Sequence, residues 1–448
     1  MKPNYYQTPL MCRVKKLMLL TLFFLIQSIN YLKAGDTTYA ITHVNIIPII
    51  GEKLLYNQTV LIKNGKIASI KNAGSEKLPA NVFIINGKNQ YLMPGMADMH
   101  AHLPTGGSDE VPLKDYLKLN IVRGITMLRS MRGHESHPAL RDSIRRRYIV
   151  GPDLYLASPV LPEEKDMTPD KAKALFREYK NKYDFVKYLY PLRPSLYDSV
   201  MMIAKQEGVK VAGHGPKGGI EAALKAKQTS IEHIDLFLRE YKKDSLEFNK
   251  RIAQMAEAGI FSCPDVDWYY INWNQLKIDE LKKRGGIEFL PPSLVDQWVS
   301  YSDKMHSQAL EKNKEQFLNE IKTRKENIEL FSKLLKKMND ARVPLLISAG
   351  DGYFIVPGYS FLNECKLFSA AGINNYDILK AATYNAAMIS GETEEWGSVQ
   401  ENRRADLVLL SANPLDNIQN IEKINGVMLR GKWFVKKDLE KMRDGVKQ

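Results

Sequence analysis

Apolar and polar residues alternate from Val60 to Ile70 around an Asn64-Gly65 pair, the pattern of two half-buried strands joined by a tight hairpin turn. Strand-like segments continue through Tyr39 to Ile85. They return near the other end as Ala405–Leu410 and Gly426–Val435, the latter turning at Arg430-Gly431. Neither group makes a core by itself, so the pattern predicts that both chain ends pair in one small β-sandwich. Between them the rhythm changes. Short apolar runs at Met96–His102, Ile125–Met131, Asp153–Ala157, Asp184–Tyr190, Val209–His214, Thr229–His233, Gly259–Cys263 and Leu345–Asp351 alternate with amphipathic helical stretches such as Pro169–Lys182 and Ser245–Ala258. Eight such strand–helix units predict an α/β fold of the (β/α)8 TIM-barrel type. The expected boundaries are 35–93 and 394–448 for the sandwich and 94–393 for the barrel, with an insertion at 264–344. That insertion carries Trp268, Tyr269, Tyr270 and Trp273, then a long charged helix, and leaves from the end of the seventh strand, which predicts an overhang above the strand ends.

The first 34 residues follow another pattern. Arg13, Lys15 and Lys16 precede an apolar run from Leu17 to Ile26, interrupted only by Thr21, and a small Ala34-Gly35 pair follows. This order is that of an export signal cleaved after Ala34, and a run of ten residues is too short for the ~20 of a membrane-spanning helix. The chain is therefore expected to be exported, periplasmic or secreted, with no stable membrane insertion after processing. Removing the segment takes five basic side chains and no acidic one, lowering the formal net charge from +13 to +8. The remaining basic residues are scattered, without an aromatic-interleaved patch, so nucleic acid is not an expected partner. Of Cys12, Cys263 and Cys365, the two left after cleavage need not pair, because a chain of 448 residues can bury a core without a disulfide.

Chemistry collects at the strand ends. His100 and His102 lie two apart on the first barrel strand, so their imidazoles share a face and can hold one metal ion. His214 and His233 end the fifth and sixth strands, and catalytic groups of this fold gather at that end. Lys187 sits among apolar neighbours on the fourth strand. It is either a packed stem with its ammonium reaching water or a neutral amine able to form a carbamate with carbon dioxide. Asp351 ends the eighth strand as a metal ligand and proton carrier, or as a helix cap. Asp98, two before His100, is a partner orienting an imidazole or a buried hydrogen-bonded acid.

Taken together, PGMADMHAH (94–102), GITMLRS (124–130), DFVKYLY (184–190), VAGHG (211–215), SIEH (230–233), SAGD (348–351), ILKAATYNAAMISG (378–391) and ADLVLLSANPLDNI (405–418) give the chain its family character. It resembles the amidohydrolase superfamily, in the branch of imidazolonepropionase-like proteins and prolidase-like Xaa-dipeptidases. The resemblance implies two divalent metal ions, zinc by default. His100 and His102 match the ligands of one, His214 and His233 those of the other, Lys187 the carboxylated bridging lysine, and Asp351 the catalytic aspartate. Ala349-Gly350 stands where relatives carry Gly-Thr, and Ser158-Pro-Val-Leu-Pro162 where many carry a histidine. Tyr190 and His134 are the substitute candidates for stabilising the developing oxyanion, and Arg129 and Tyr190 for contacting substrate. The implied activity is hydrolysis of an amide in dipeptides or N-acyl amino acids, with Asp351 shuttling the proton. Cyclic amides, lactones, phosphoesters and a silent metal- or ligand-binding protein are the alternatives. A small-molecule or short-peptide substrate and self-association into a homo-oligomer complete the expected partners.

Overall fold

The structure, a computed structural model, describes residues 37–446 except 52, 76 and 274–276. The export segment at 1–34 and the side chain of Trp273 lie outside the described residues.

The two ends of the chain meet in one hydrogen-bonded sheet. The N-terminal portion supplies β1 (Thr38–Ile46), β2 (Leu55–Lys63), β3 (Lys66–Asn72), β4 (Val82–Asn86) and β5 (Tyr91–Pro94). The C-terminal portion supplies β13 (Leu407–Leu410), β14 (Ile424–Leu429) and β15 (Lys432–Val435). The order is β15-β14-β13-β5-β1-β2-β3, with β4 also paired to β1. The join is the antiparallel β13–β5 pair, where Leu407 faces Pro94 and Leu409 faces Leu92. Both expected hairpin turns form, Asn64-Gly65 at φ 53° and 75° and Arg430-Gly431 at φ 48° and 78°. Positive φ at both central residues matches the strand twist.

Seven strands of the middle are parallel: β6 (Met96–Ala101), β7 (Ile125–Ser130) and β8 (Asp153–Leu156) in one sheet, and β9 (Val186–Tyr188), β10 (Val211–His214), β11 (Ser230–Glu232) and β12 (Phe261–Cys263) in another. A bridge between Ala157 and Phe185 links the two sheets, and one between Ser262 and Leu345 links β12 to the segment expected as the eighth strand. That segment returns to β6 where the Met99 N–H donates to the Ile347 carbonyl at 3.0 Å. It is not a regular strand, however. The Ala349 N–H donates to Asp98 Oδ1 at 3.2 Å instead of to a neighbouring backbone, and Gly350 then turns at φ 74°.

Helices cover the connections. Ser245–Ala258 begins where the Asp244 side chain accepts from the Leu246 and Glu247 N–H groups, presents Phe248, Ile252 and Met255 to the core, and stops at left-handed Gly259. Such a cap contributes about 1 kcal/mol. One apolar cluster draws Ala97 and Met99, Met127, Tyr155, Phe185, Ala212, Phe261 and Leu346 from seven of the eight middle segments. Only β11 contributes none to it, having Ser230 and Glu232 inward instead. The insertion folds as helices, ending in Pro292–Asp340, which breaks helical geometry at Asn313. Its aromatic start is largely packing: Tyr269 is buried and its hydroxyl bonds Asp235, while Trp268 stacks near His233 with ring centres 5.9 Å apart. No helix among the described residues is long and apolar enough to cross a membrane.

Candidate active site

Four histidines converge at the C-terminal ends of the parallel strands. His100 and His102 stack with ring centres 5.4 Å apart, His100 and His233 are 4.7 Å apart, and His214 and His233 are 4.6 Å apart. Strand alternation explains the first pair. His214 depends on Gly213, whose φ is 148° and where a Cβ would meet the Tyr188 carbonyl oxygen at 1.8 Å, so only glycine lets β10 approach β9 closely enough. His233 takes a left-handed backbone at φ 67°. Regular alternation would send Glu232 and His233 to opposite faces; this twist turns both towards the cluster.

Carboxylates surround the imidazoles. His102 Nδ1 lies 2.7 Å from Asp351 Oδ2. His100 Nδ1 lies 3.0 Å from Glu232 Oε2 and 3.1 Å from Asp265 Oδ2, and His233 Nδ1 lies 3.1 Å from the same Asp265 oxygen. Burial, then Lys187, the neighbouring histidines and Arg129, hold His100 well below the usual histidine range, and burial, then His233, Lys187 and His102, bring His214 to about 2. Both are neutral, with lone pairs free for a metal ion. Burial pushes the Asp351 carboxyl up, but His102, His233 and Lys187 outweigh it and leave it below its ordinary value. Lys187 is 2% exposed with no hydrogen-bond partner for Nζ, and burial, only partly offset by Glu232, brings it down to about 8.

Lys187 Nζ and His102 Nε2 are buried polar atoms with no partner, and His102 Nδ1, His233 Nδ1 and Asp265 Oδ2 are buried with only the close charge pairs just described, without hydrogen-bond geometry. Buried polar atoms are ordinarily satisfied, so a knot of orphans made of imidazoles, a carboxylate and an amine fits residues shaped to hold cations. His100, Cys263 and Asp265 also group closely enough to hold one ion.

Glu232 and Asp265 escaped the sequence reading, although each lies two residues from another inward side chain, Ser230 and Cys263. Two expectations, for Arg129 and His134, are corrected, and of the two readings of Asp98 the buried hydrogen-bonded acid holds. Arg129 does not stand at the strand ends to meet substrate; it is 1% exposed, donates to Glu232 Oε1, Ser230 Oγ and the Met99 carbonyl, and lies over the Phe185 ring. His134 is exposed, with Nδ1 2.8 Å from Ser136 Oγ and its ring against His137 rather than against the cluster histidines. Asp98 orients backbone rather than an imidazole, accepting from the His100 and Ala349 N–H groups, and burial raises it to about 7. Tyr190 stands 42% exposed beyond β9, with no hydrogen bond to the cluster among the described residues.

A parallel α/β fold carrying buried histidines and carboxylates at its strand ends is an arrangement suited to a hydrolase. Residues 91–434 match the model of the amidohydrolase family, and the chain belongs to that family, a hydrolase acting on carbon–nitrogen bonds. Among solved structures it is similar to a Xaa-Pro dipeptidase with methionine bound in its active site (17% identity, TM-score 0.67, covering 89% of this chain and 100% of that one). It is also similar to a bottromycin amidohydrolase (20%, 0.69, 91% and 90%) and to the ochratoxinase of A. niger (17%, 0.65, 89% and 96%). A curated relative, adenine deaminase 2 of Bradyrhizobium sp. (strain ORS 278), is 25% identical over 195 residues, which span 39% of this chain and 32% of that protein.

Proposed function

We propose that the protein hydrolyses the amide bond of dipeptides or N-acyl amino acids at a centre of two divalent metal ions, zinc by default. The knot of orphaned polar atoms at the strand ends carries this reading. His100 and His102 would hold one ion, His214 and His233 the other, with Lys187 as the bridging carbamate and Asp351 completing the set. When bound, such ions lower the pKa of water and polarise a carbonyl. The chain's own groups do the rest. Lys187, brought down to about 8, supplies the neutral amine that a carbamate requires. Asp351, ionised and beside His102, takes a proton from the attacking water at Oδ2 and returns it to the departing amine. Glu232 and Asp265 hold the His100 and His233 rings so that their other nitrogens face the ions. A dipeptidase among the similar structures supports the substrate class.

We read the cyclic order of the eight middle segments, and the apolar cluster they enclose, as the (β/α)8 barrel. The end sheet we read as curled into a sandwich around Ile41, Val60, Ile62, Leu407 and Met428, which come together from both halves. The order of residues 1–34 supports export, and the first residue of the protein recovered from culture is expected near Gly35.

Metal analysis tests the centre. Two ions per chain are expected in the wild type and a clear loss in Lys187→Ala, partly restored by added short carboxylates. Full metal content in that variant would remove the carbamate from the site.

A further inference from the structure

Beside His102 and Asp351 opens a cavity of about 390 Å³. One wall is apolar and braced: Trp298 from the insertion donates from Nε1 to the Asp109 carbonyl, and the Tyr353 hydroxyl bonds Asp109 Oδ2 at 3.2 Å. The other wall bears Arg132, the single lysine or arginine among the described residues lining this space.

Arg132 is not committed as Arg129 is. Among the described residues its one ion pair is with Glu110 Oε1 at 3.7 Å, beyond hydrogen-bond reach, and more than half of its side chain is exposed. Glu110 is occupied elsewhere, its other oxygen accepting from the N–H groups of Thr105, Gly106 and Gly107 at 2.7, 3.0 and 3.0 Å. A planar guanidinium with unfilled donors, facing a cavity that ends on the reacting groups, matches a carboxylate with two parallel hydrogen bonds.

We propose that Arg132 binds the free carboxylate of the substrate's departing amino acid and thereby selects N-acyl amino acids and dipeptides over neutral amides, with the amino acid's apolar side chain against Trp298 and Tyr353. The assignment rests on the amide-hydrolase reading for its reaction but not for its binding. Glu110 is the counter-ion that the incoming carboxylate displaces.

Calorimetric titration of the metal-replete protein with N-methanesulfonyl-leucine and with its carboxamide tests the assignment, because the sulfonamide bond survives during measurement. The wild type is expected to bind the acid at least ~10-fold more tightly, the scale of a charge-assisted hydrogen-bond pair. Arg132→Met should bring the two affinities together, and Arg132→Lys should keep part of the difference. Absence of discrimination in the wild type, failure to bind either compound, or discrimination that survives in a folded, metal-replete Arg132→Met protein would each overturn the proposal. Turnover of N-acetyl-leucine is scored separately. Arg132-dependent binding without turnover retains the carboxylate site and removes the hydrolytic reading, whereas turnover with discrimination independent of Arg132 does the reverse.

Discussion

One oxygen of Asp265 faces two imidazoles from different strands. His100 and His233 are each 3.1 Å from it through Nδ1, and Asp265 itself sits in left-handed backbone at φ 51°. Left-handed backbone at a non-glycine residue carries a cost and persists where the surroundings enforce it. Asp265→Asn should therefore leave the fold intact and weaken metal binding about 10- to 100-fold, the usual cost of losing an outer carboxylate partner. Competition with a fluorescent zinc chelator measures this, and an unchanged affinity would reduce Asp265 to a core acid. Sequence pattern could place His100, His102, His214 and His233 because each ends a strand-like run. Glu232 was missed although regular alternation with Ser230 turns it inward, and Asp265 could not be placed because its left-handed backbone has no signature in residue type. Arg129 misled for the opposite reason. Its position at the end of β7 is legible, but the inward Glu232 and Ser230 that capture its guanidinium are supplied 103 and 101 residues away.

At the scale of elements, the site hangs on close strand approach. Gly213→Ala places a methyl group against the Tyr188 carbonyl oxygen, so β9 and β10 must separate and carry Lys187 and His214 apart. A loss of about 3 kcal/mol or more is expected, together with loss of metal. Urea denaturation of the apoprotein and metal analysis check the two effects; wild-type values for both would mean that the strands tolerate the shift. Strand existence was legible throughout the middle of the chain, since apolar runs and helical periods alternate plainly. The eighth segment was not legible as an irregular one. Its departure arises from the Asp98 side chain, which takes the Ala349 N–H that a regular neighbour would have received.

For the whole molecule, the contact between the end sheet and the middle is ionic as well as apolar. Arg404, ahead of β13, reaches Asp153 Oδ2 at 3.0 Å, while Arg145 holds the other oxygen at 3.1 Å. Burial pushes the Asp153 carboxyl up, but Arg404, Arg145 and Arg430 outweigh it and keep it below the carboxylate range. A carboxyl depressed in the folded state stabilises fully above its unfolded pKa of ~3.9, and that contribution disappears as pH falls through the lower folded value. Asp153→Asn should cost about 2 kcal/mol at neutral pH, since the buried carboxylate hydrogen-bonds both the half-buried Arg404 and the exposed Arg145. It should also flatten the fall in melting temperature below about pH 4. Parallel melting curves for wild type and variant across that range would refute the linkage. The meeting of the two chain ends was legible because each group of strands lacked a partner; the ion pairs that fasten them were not, because Asp153 and Arg404 are 251 residues apart.

Hydrolysis of amides at the histidine–carboxylate cluster, with Asp351 moving the proton, is open to direct test. The most direct measurement is amino acid release from a panel of dipeptides and N-acyl amino acids by zinc-reconstituted wild type and by Asp351→Asn, with metal content determined on the same samples. Release by the wild type is expected, with a fall of at least ~100-fold in kcat for the variant at comparable metal content. No release by the fully metallated wild type, or undiminished release by the variant, would contradict the account.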